Sequence, residues 1–162
     1  MKQIINILII DDSKDSSEEL YSILRSPGNN IFIANSEAEA YSMLTQKTFA
    51  LILCSADIEN FNLFNFVNEI STEFINDNTF IIAMTQDGES VFNLIKGMQN
   101  GIIDYLLKPY NVNLVKAKIN IYKRLYFKNN RISNLLENIF AISEAFLAFN
   151  FTMIVYLDFL ST

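Results

Sequence analysis

The chain contains no histidine. That excludes phosphotransfer through a histidine of its own, histidine general-base chemistry and histidine–metal centres. It has one cysteine, Cys54, inside an apolar run. No disulfide can form within the chain, and a reducing compartment fits. The four glycines, Gly28, Gly88, Gly97 and Gly101, are scattered, so no Gly-rich phosphate loop is present. Met1-Lys2-Gln3 runs directly into an apolar segment with no small-residue cleavage region, so no signal peptide is expected and the expected location is cytoplasmic.

Charge is unevenly spread. Residues 1–111 carry 15 acids against 6 bases, a net of −9, and residues 112–162 carry 3 acids against 6 bases, a net of +3. The two parts give the chain its net charge of −6. An acidic body argues against nucleic-acid binding by this domain. The six late bases, from Lys116 to Arg131, read as a solvated helix face.

What the chain does have is a series of apolar runs that end in polar groups. Ile5-Leu8-Ile9-Ile10 leads to Asp11-Asp12, Leu51-Ile52-Leu53-Cys54 to Ser55, Phe80-Ile81-Ile82-Ala83-Met84 to Thr85, and Tyr105-Leu106-Leu107 to Lys108-Pro109. Another short run, Ile31-Phe32-Ile33-Ala34, follows the turn-forming Pro27-Gly28-Asn29-Asn30. Helical patterns alternate with these runs. Ser36 with Glu39 reads as a capping box, and Leu63, Phe66, Val67 and Ile70 share one helical face. Val91, Leu94, Ile95 and Met98 mark a further helix, closed by Asn100-Gly101. Five β-α units of this kind predict an α/β fold: a five-stranded parallel sheet, doubly wound and flavodoxin-like, with a site along its carboxyl edge.

These residues carry a resemblance. Asp11-Asp12, Thr85, Lys108-Pro109 and the spacing of Gly101, Asp104, Tyr105 and Lys108 resemble the receiver domain of two-component response regulators, from residue 1 to about 125. The resemblance implies that the paired acids hold Mg²⁺ and that an aspartate ending the third strand accepts a phosphoryl group. It further implies that Lys108 pairs with that acceptor, that the Thr85 hydroxyl bonds the new phosphate, and that Tyr105 changes rotamer. Oxygen ligands suit Mg²⁺, and cations stabilise the charge spread over a phosphoryl group.

The acceptor position departs from that pattern. Two frames compete. In the favoured one, the downstream apolar residues Ile58, Phe61, Phe66 and Val67 keep the family register, and Ser55 is the acceptor position. In the other, Asp57 is the acceptor and two inserted residues must be absorbed. A serine hydroxyl is not ionised at neutral pH and is a weak nucleophile without an adjacent base. The expectation is an atypical receiver, or pseudo-receiver, that acts in phosphorelay signalling by protein–protein interaction and has no enzymatic cycle. The alternatives are a phosphoryl-accepting regulator using Asp57 and a membrane-anchored interaction module. A weak Mg²⁺ site at Asp11, Asp12 and Asp57 is expected, with no other cofactor, and Thr85, Tyr105 and Lys108 form the expected phosphate pocket.

The division expected is a receiver-like domain over 1–125 and an apolar helical extension over 126–162. In the extension Ile132, Leu135, Ile139, Ile142, Phe146, Phe149, Met153, Tyr156 and Leu160 recur at alternating spacings of three and four, an a/d heptad pattern. This stripe is the expected interface of a homo-oligomer, a dimer in the simplest case. Glu144 is the only charge between Ile139 and Leu157, so contact with a membrane is a second reading. The start of a further domain is a third.

Overall fold

The computed structural model describes residues 3–75, 78–86 and 101–160, with side chains described as far as residue 153. Five strands form one sheet: β1 (Ile5–Ile10), β2 (Asn29–Ala34), β3 (Leu51–Ser55), β4 (Phe80–Thr85) and β5 (Ile102–Leu107). The helices are α1 (Lys14–Leu24), α2 (Glu37–Leu44), α3 (Leu63–Glu73) and α4 (Val112–Leu160). The helix expected around Val91–Met98 lies outside the described residues. Strand order is β2-β1-β3-β4-β5, and every pairing is parallel. The doubly wound, flavodoxin-like α/β fold is therefore present.

The sheet explains the apolar runs. β3 is buried at every position and β1 and β4 at all but one, because helices cover both faces of the central strands. Leu8, Ile10, Ile52, Cys54, Ile81 and Ala83 share a core with Ala40 and Leu44 of α2 and with Leu63, Phe66, Val67 and Ile70 of α3. Ile7, Ile9, Leu53 and Ile82 point to the opposite face and are equally buried, as are Leu20 and Leu24 of α1 and Val115 and Ile119 of α4. The edge strands β2 and β5 are only partly buried, as each has a neighbour on one side alone.

Local signals set the helix starts. The Ser13 side chain accepts from the Ser16 amide, Ser36 from Glu39 and Asn62 from Asn65. The capping box is offset: Glu39 Oε2 accepts from the Asn35 amide at 2.8 Å, one residue before the cap. Gly101 has φ +101°, a conformation that L side chains rarely adopt, and it delivers the chain into β5. β2 begins earlier than its apolar pattern suggests. Asn29 and Asn30, read as turn residues, pair with Ile5 and Asn6, and Asn30 Nδ2 donates to Asn6 Oδ1 at 3.2 Å.

Contacts divide the chain into Met1–Tyr126 and Phe127–Thr162. In the first unit, α4 is fastened to β5 by polar contacts. Lys118 Nζ lies 2.6 Å from Asp104 Oδ1 and 2.9 Å from the Tyr105 carbonyl, and the Tyr122 hydroxyl donates to Asp104 Oδ2 at 3.0 Å. Two of the late bases, Lys118 and Lys123, are thus held rather than solvated, since Lys123 Nζ donates to Gly28 O and Asn29 Oδ1. In the second unit, helical residues from Ile132 to Met153 expose large apolar side chains on more than one face.

Partial burial, and then the bond to Asp104, push the Tyr122 hydroxyl up to about 12 from its ordinary 10. A raised folded pKa means that the folded state holds its proton longer than the unfolded state. This contribution is complete below pH 10 and is lost as pH rises through 12. The Tyr122→Phe variant should therefore show a shallower loss of stability between pH 10 and 12 in urea titrations than the parent chain. An unchanged slope would mean that the hydroxyl ionises freely in the fold.

Candidate functional site

Strand order reverses between β1 and β3, and the carboxyl ends of these strands open a crevice at that switch point. Register brings the polar ends together. Ile10 pairs with Cys54, Ser55 with Met84 and Thr85 with Leu107, so Asp11, Ser55, Thr85 and Lys108 arrive at one level.

Lys108 is the centre of the cluster. Its Nζ lies 2.8 Å from Asp11 Oδ2, 2.9 Å from Ser55 Oγ and 3.5 Å from Asp57 Oδ2. The lysine side chain is 6% exposed and that of Asp11 is 1% exposed, so this is a buried ion pair. Asp11 is satisfied on all sides: Oδ1 accepts from the Ser13 amide at 3.0 Å, and Oδ2 also accepts from Ser16 Oγ at 2.7 Å. The Tyr110 hydroxyl sits 3.0 Å from Ser16 Oγ. The tyrosine hydroxyl also lies 3.3 Å from Met84 Sδ, to which it donates. Burial pushes the Tyr110 hydroxyl up, only partly opposed by the Ser16 bond, so the group stays protonated.

Asp57 completes the site from the loop after β3. Its Oδ1 accepts from Thr85 Oγ1 at 2.9 Å and its Oδ2 from the Gln86 amide at 3.0 Å. Its own amide donates to Ser55 Oγ at 3.3 Å. Ser55 is thereby fixed between the lysine ammonium and the Asp57 backbone, and it is fully buried. An open cleft of about 470 Å³, lined by Asp15, Ser16, Glu19, Gln86, Lys108 and Pro109, adjoins the cluster.

The structure thus brings together Asp11, Ser55, Asp57, Thr85 and Lys108. Asp12 is exposed beside them. Tyr105 is half-buried on β5, with its ring centroid 5.0 Å from Lys118 Nζ, and the aromatic residue in the cluster is Tyr110. Ser16 and Tyr110 were not singled out as site residues by the sequence. Ser16 carries a local signal, lying one turn into α1 after Asp11; Tyr110 meets it across 94 positions and carries none.

The three carboxylates read as a Mg²⁺ site do not fit that ion in this arrangement. The oxygens of Asp11 and Asp57 already face a lysine ammonium, two amides and two hydroxyls. Among the described residues no three Asp, Glu, Cys or His side chains are grouped to hold a metal. The Lys108 ammonium supplies the positive charge at the crevice.

The comparisons with known proteins agree with the fold. Residues 7–120 match the family model "Response regulator receiver domain". The transcriptional regulatory protein ZraR of Escherichia coli K12 is 28% identical over 115 residues, 71% of this chain and 25% of that protein. CrdR of Helicobacter pylori, also a transcriptional regulatory protein, is 28% identical over 138 residues, 83% of this chain and 60% of its own length. The chain spans about a quarter of the length of the first of these. Among solved structures, a response regulator from Thermotoga maritima superposes with a TM-score of 0.67 at 20% identity, covering 75% of this chain and 98% of that one. A two-component response regulator from Clostridium difficile gives 0.62 at 26% identity, covering 74% and 96%.

Removing one member of a buried pair leaves an uncompensated charge, at a cost of about 3–5 kcal/mol. The Lys108→Met variant should lose roughly that much unfolding free energy in urea. Neutralising the orphaned acid as well, in the Asp11→Asn, Lys108→Met double variant, should recover part of the loss. Equal loss in the single and double variants would show that the lysine matters by packing and not by charge.

Proposed function

The chain belongs to the response regulator receiver family, and we propose that it is a receiver that works without an aspartyl-phosphate cycle. Receiver domains of response regulators interact with proteins, and in this reading contact with a protein partner is the whole output of a cytoplasmic module. One observation carries the reading: the residue that ends β3, with its side chain at the lysine ammonium, is Ser55 and not an acid. A neutral hydroxyl held by a cation has no general base to activate it. The nearby acid, Asp57, is already engaged by Thr85, Gln86 and Lys108, and a phosphoryl donor would have to compete with all three.

The acidic body still argues against direct nucleic-acid contact by residues 1–111. That expectation does not extend to the pathway. The curated relatives are transcriptional regulatory proteins, so an effector that binds DNA is an output this receiver could serve.

The helical extension supports self-association. Ile139, Ile142, Phe146 and Phe149 are each more than 60% exposed on the heptad stripe. Leu136, Phe140, Leu147 and Phe151 are as exposed off it. Burial of one such side chain stabilises by roughly 1.5–3 kcal/mol. A single two-stranded seam would leave the second set in water, which favours a bundle or an antiparallel pair. The second reading, a membrane contact, is favoured by the same helix. By length and composition it could cross a bilayer, with a window of mean hydropathy 1.3.

Two outcomes test these readings. Incubation with a small acyl phosphate and Mg²⁺ should leave the intact mass unchanged, whereas Ser55→Asp should gain a base-labile phosphoryl adduct. A stoichiometric adduct on Asp57 of the parent chain would overturn the phosphate-independent reading. For the extension, Ile139→Asp with Phe146→Asp should convert an oligomer to a monomer by light scattering. Sedimentation of the parent chain with lipid vesicles, lost in the same variant, would favour the membrane instead.

A further inference from the structure

Three donors from two strand ends converge on the Asp57 carboxylate. The Thr85 hydroxyl ends β4, the Gln86 amide follows it, and the Lys108 ammonium follows β5. A hydroxyl, a peptide N–H and a cation aimed at one point form a preorganised cradle for a small oxyanion. We propose that Asp57 is a tethered anion that fills this cradle, so that the chain carries its own ligand where a phosphate would otherwise seat. The proposal rests on the phosphate-independent reading of the site and says how that site is held.

The placement of Asp57 supports it. The residue is not part of β3; it follows the strand end by two positions. Its amide is anchored to Ser55 Oγ at 3.3 Å, and its two oxygens divide between Thr85 and Gln86. Charge-assisted bonds of this kind are stronger than neutral ones. The carboxylate is covalently tied beside its donors, so it competes as an intramolecular ligand against any free anion. It also repels one. With Asp11 paired to Lys108, Asp57 adds a net negative charge at the point where a phosphate oxygen would have to enter. The end of β4 is thereby held in an anion-bound arrangement at all times, and the occupant is the chain's own carboxylate.

Emptying the cradle should turn it into a phosphate site. The test is titration of the full chain with inorganic phosphate, without phosphodonor or Mg²⁺, following the Gln86 amide by NMR. In Asp57→Ala that amide should shift saturably, at a phosphate concentration at least tenfold below any that moves it in the parent chain. Asp57→Ser is the second variant should the alanine form not fold. Adding Thr85→Val to the emptied cradle should weaken binding about tenfold. Equal titrations of the parent and the emptied variants would overturn the proposal. So would a Gln86 amide that does not respond in either variant, or binding that is indifferent to Thr85→Val. A covalent adduct on the parent chain is read separately, by mass. It would defeat the phosphate-independent reading while leaving this non-covalent titration to report on the cradle itself.

Discussion

The Lys108–Asp11 pair is the constraint on which the crevice depends. Two opposite charges at 2.8 Å, both nearly shut off from water, tie the end of β5 to the end of β1 across the two strands between them. Surface pairs do not compare. Lys14 and Glu18 lie 3.7 Å apart with most of each side chain exposed, and such i,i+4 pairs contribute about 0.3–0.5 kcal/mol. The buried pair also dictates what surrounds it. Every remaining lone pair of Asp11 must be met, which is why Ser13 and Ser16 of the α1 start turn towards it and Tyr110 backs Ser16.

Serine at position 55 fits into that arrangement in a way an acid would not. An aspartate there would set a third carboxylate against Asp11 and Asp57 with one lysine to share. The hydroxyl instead accepts from the ammonium and from the Asp57 amide. Two carboxylates, one ammonium and one neutral linker replace what would be an acid-rich pocket in need of a divalent ion. The site is locally satisfied: among the described residues no buried side-chain nitrogen or oxygen lacks a partner.

Much of the fold was legible because its signals are local or periodic. Continuous apolar runs marked β1, β3 and β4, which are buried on both faces. The cap Ser36 is read within four residues of the helix it starts. The register of β2 was not legible at Asn29 and Asn30, since these asparagines become strand only because Ile5 and Asn6 lie beside them. The site divides in the same way. Asp11, Ser55, Thr85 and Lys108 each end an apolar run and could be marked from sequence. What Asp57 does could not, as its carboxylate is positioned by donors 28 and 29 residues away. Tyr110 was hidden for the same reason, and its partner Ser16 lies 94 positions away.

Cys54 stands one residue before the crevice, at the centre of the sheet, with no exposure at all. Burial raises its thiol well above the usual range, so the reactive thiolate is scarce and unreachable in the folded chain. It is also the only thiol present. A thiol-selective reagent can therefore reach this chain at one atom, and only when β3 parts from its neighbours. The rate of that single reaction is a clock for opening of the sheet's centre, built into the sequence with no label added.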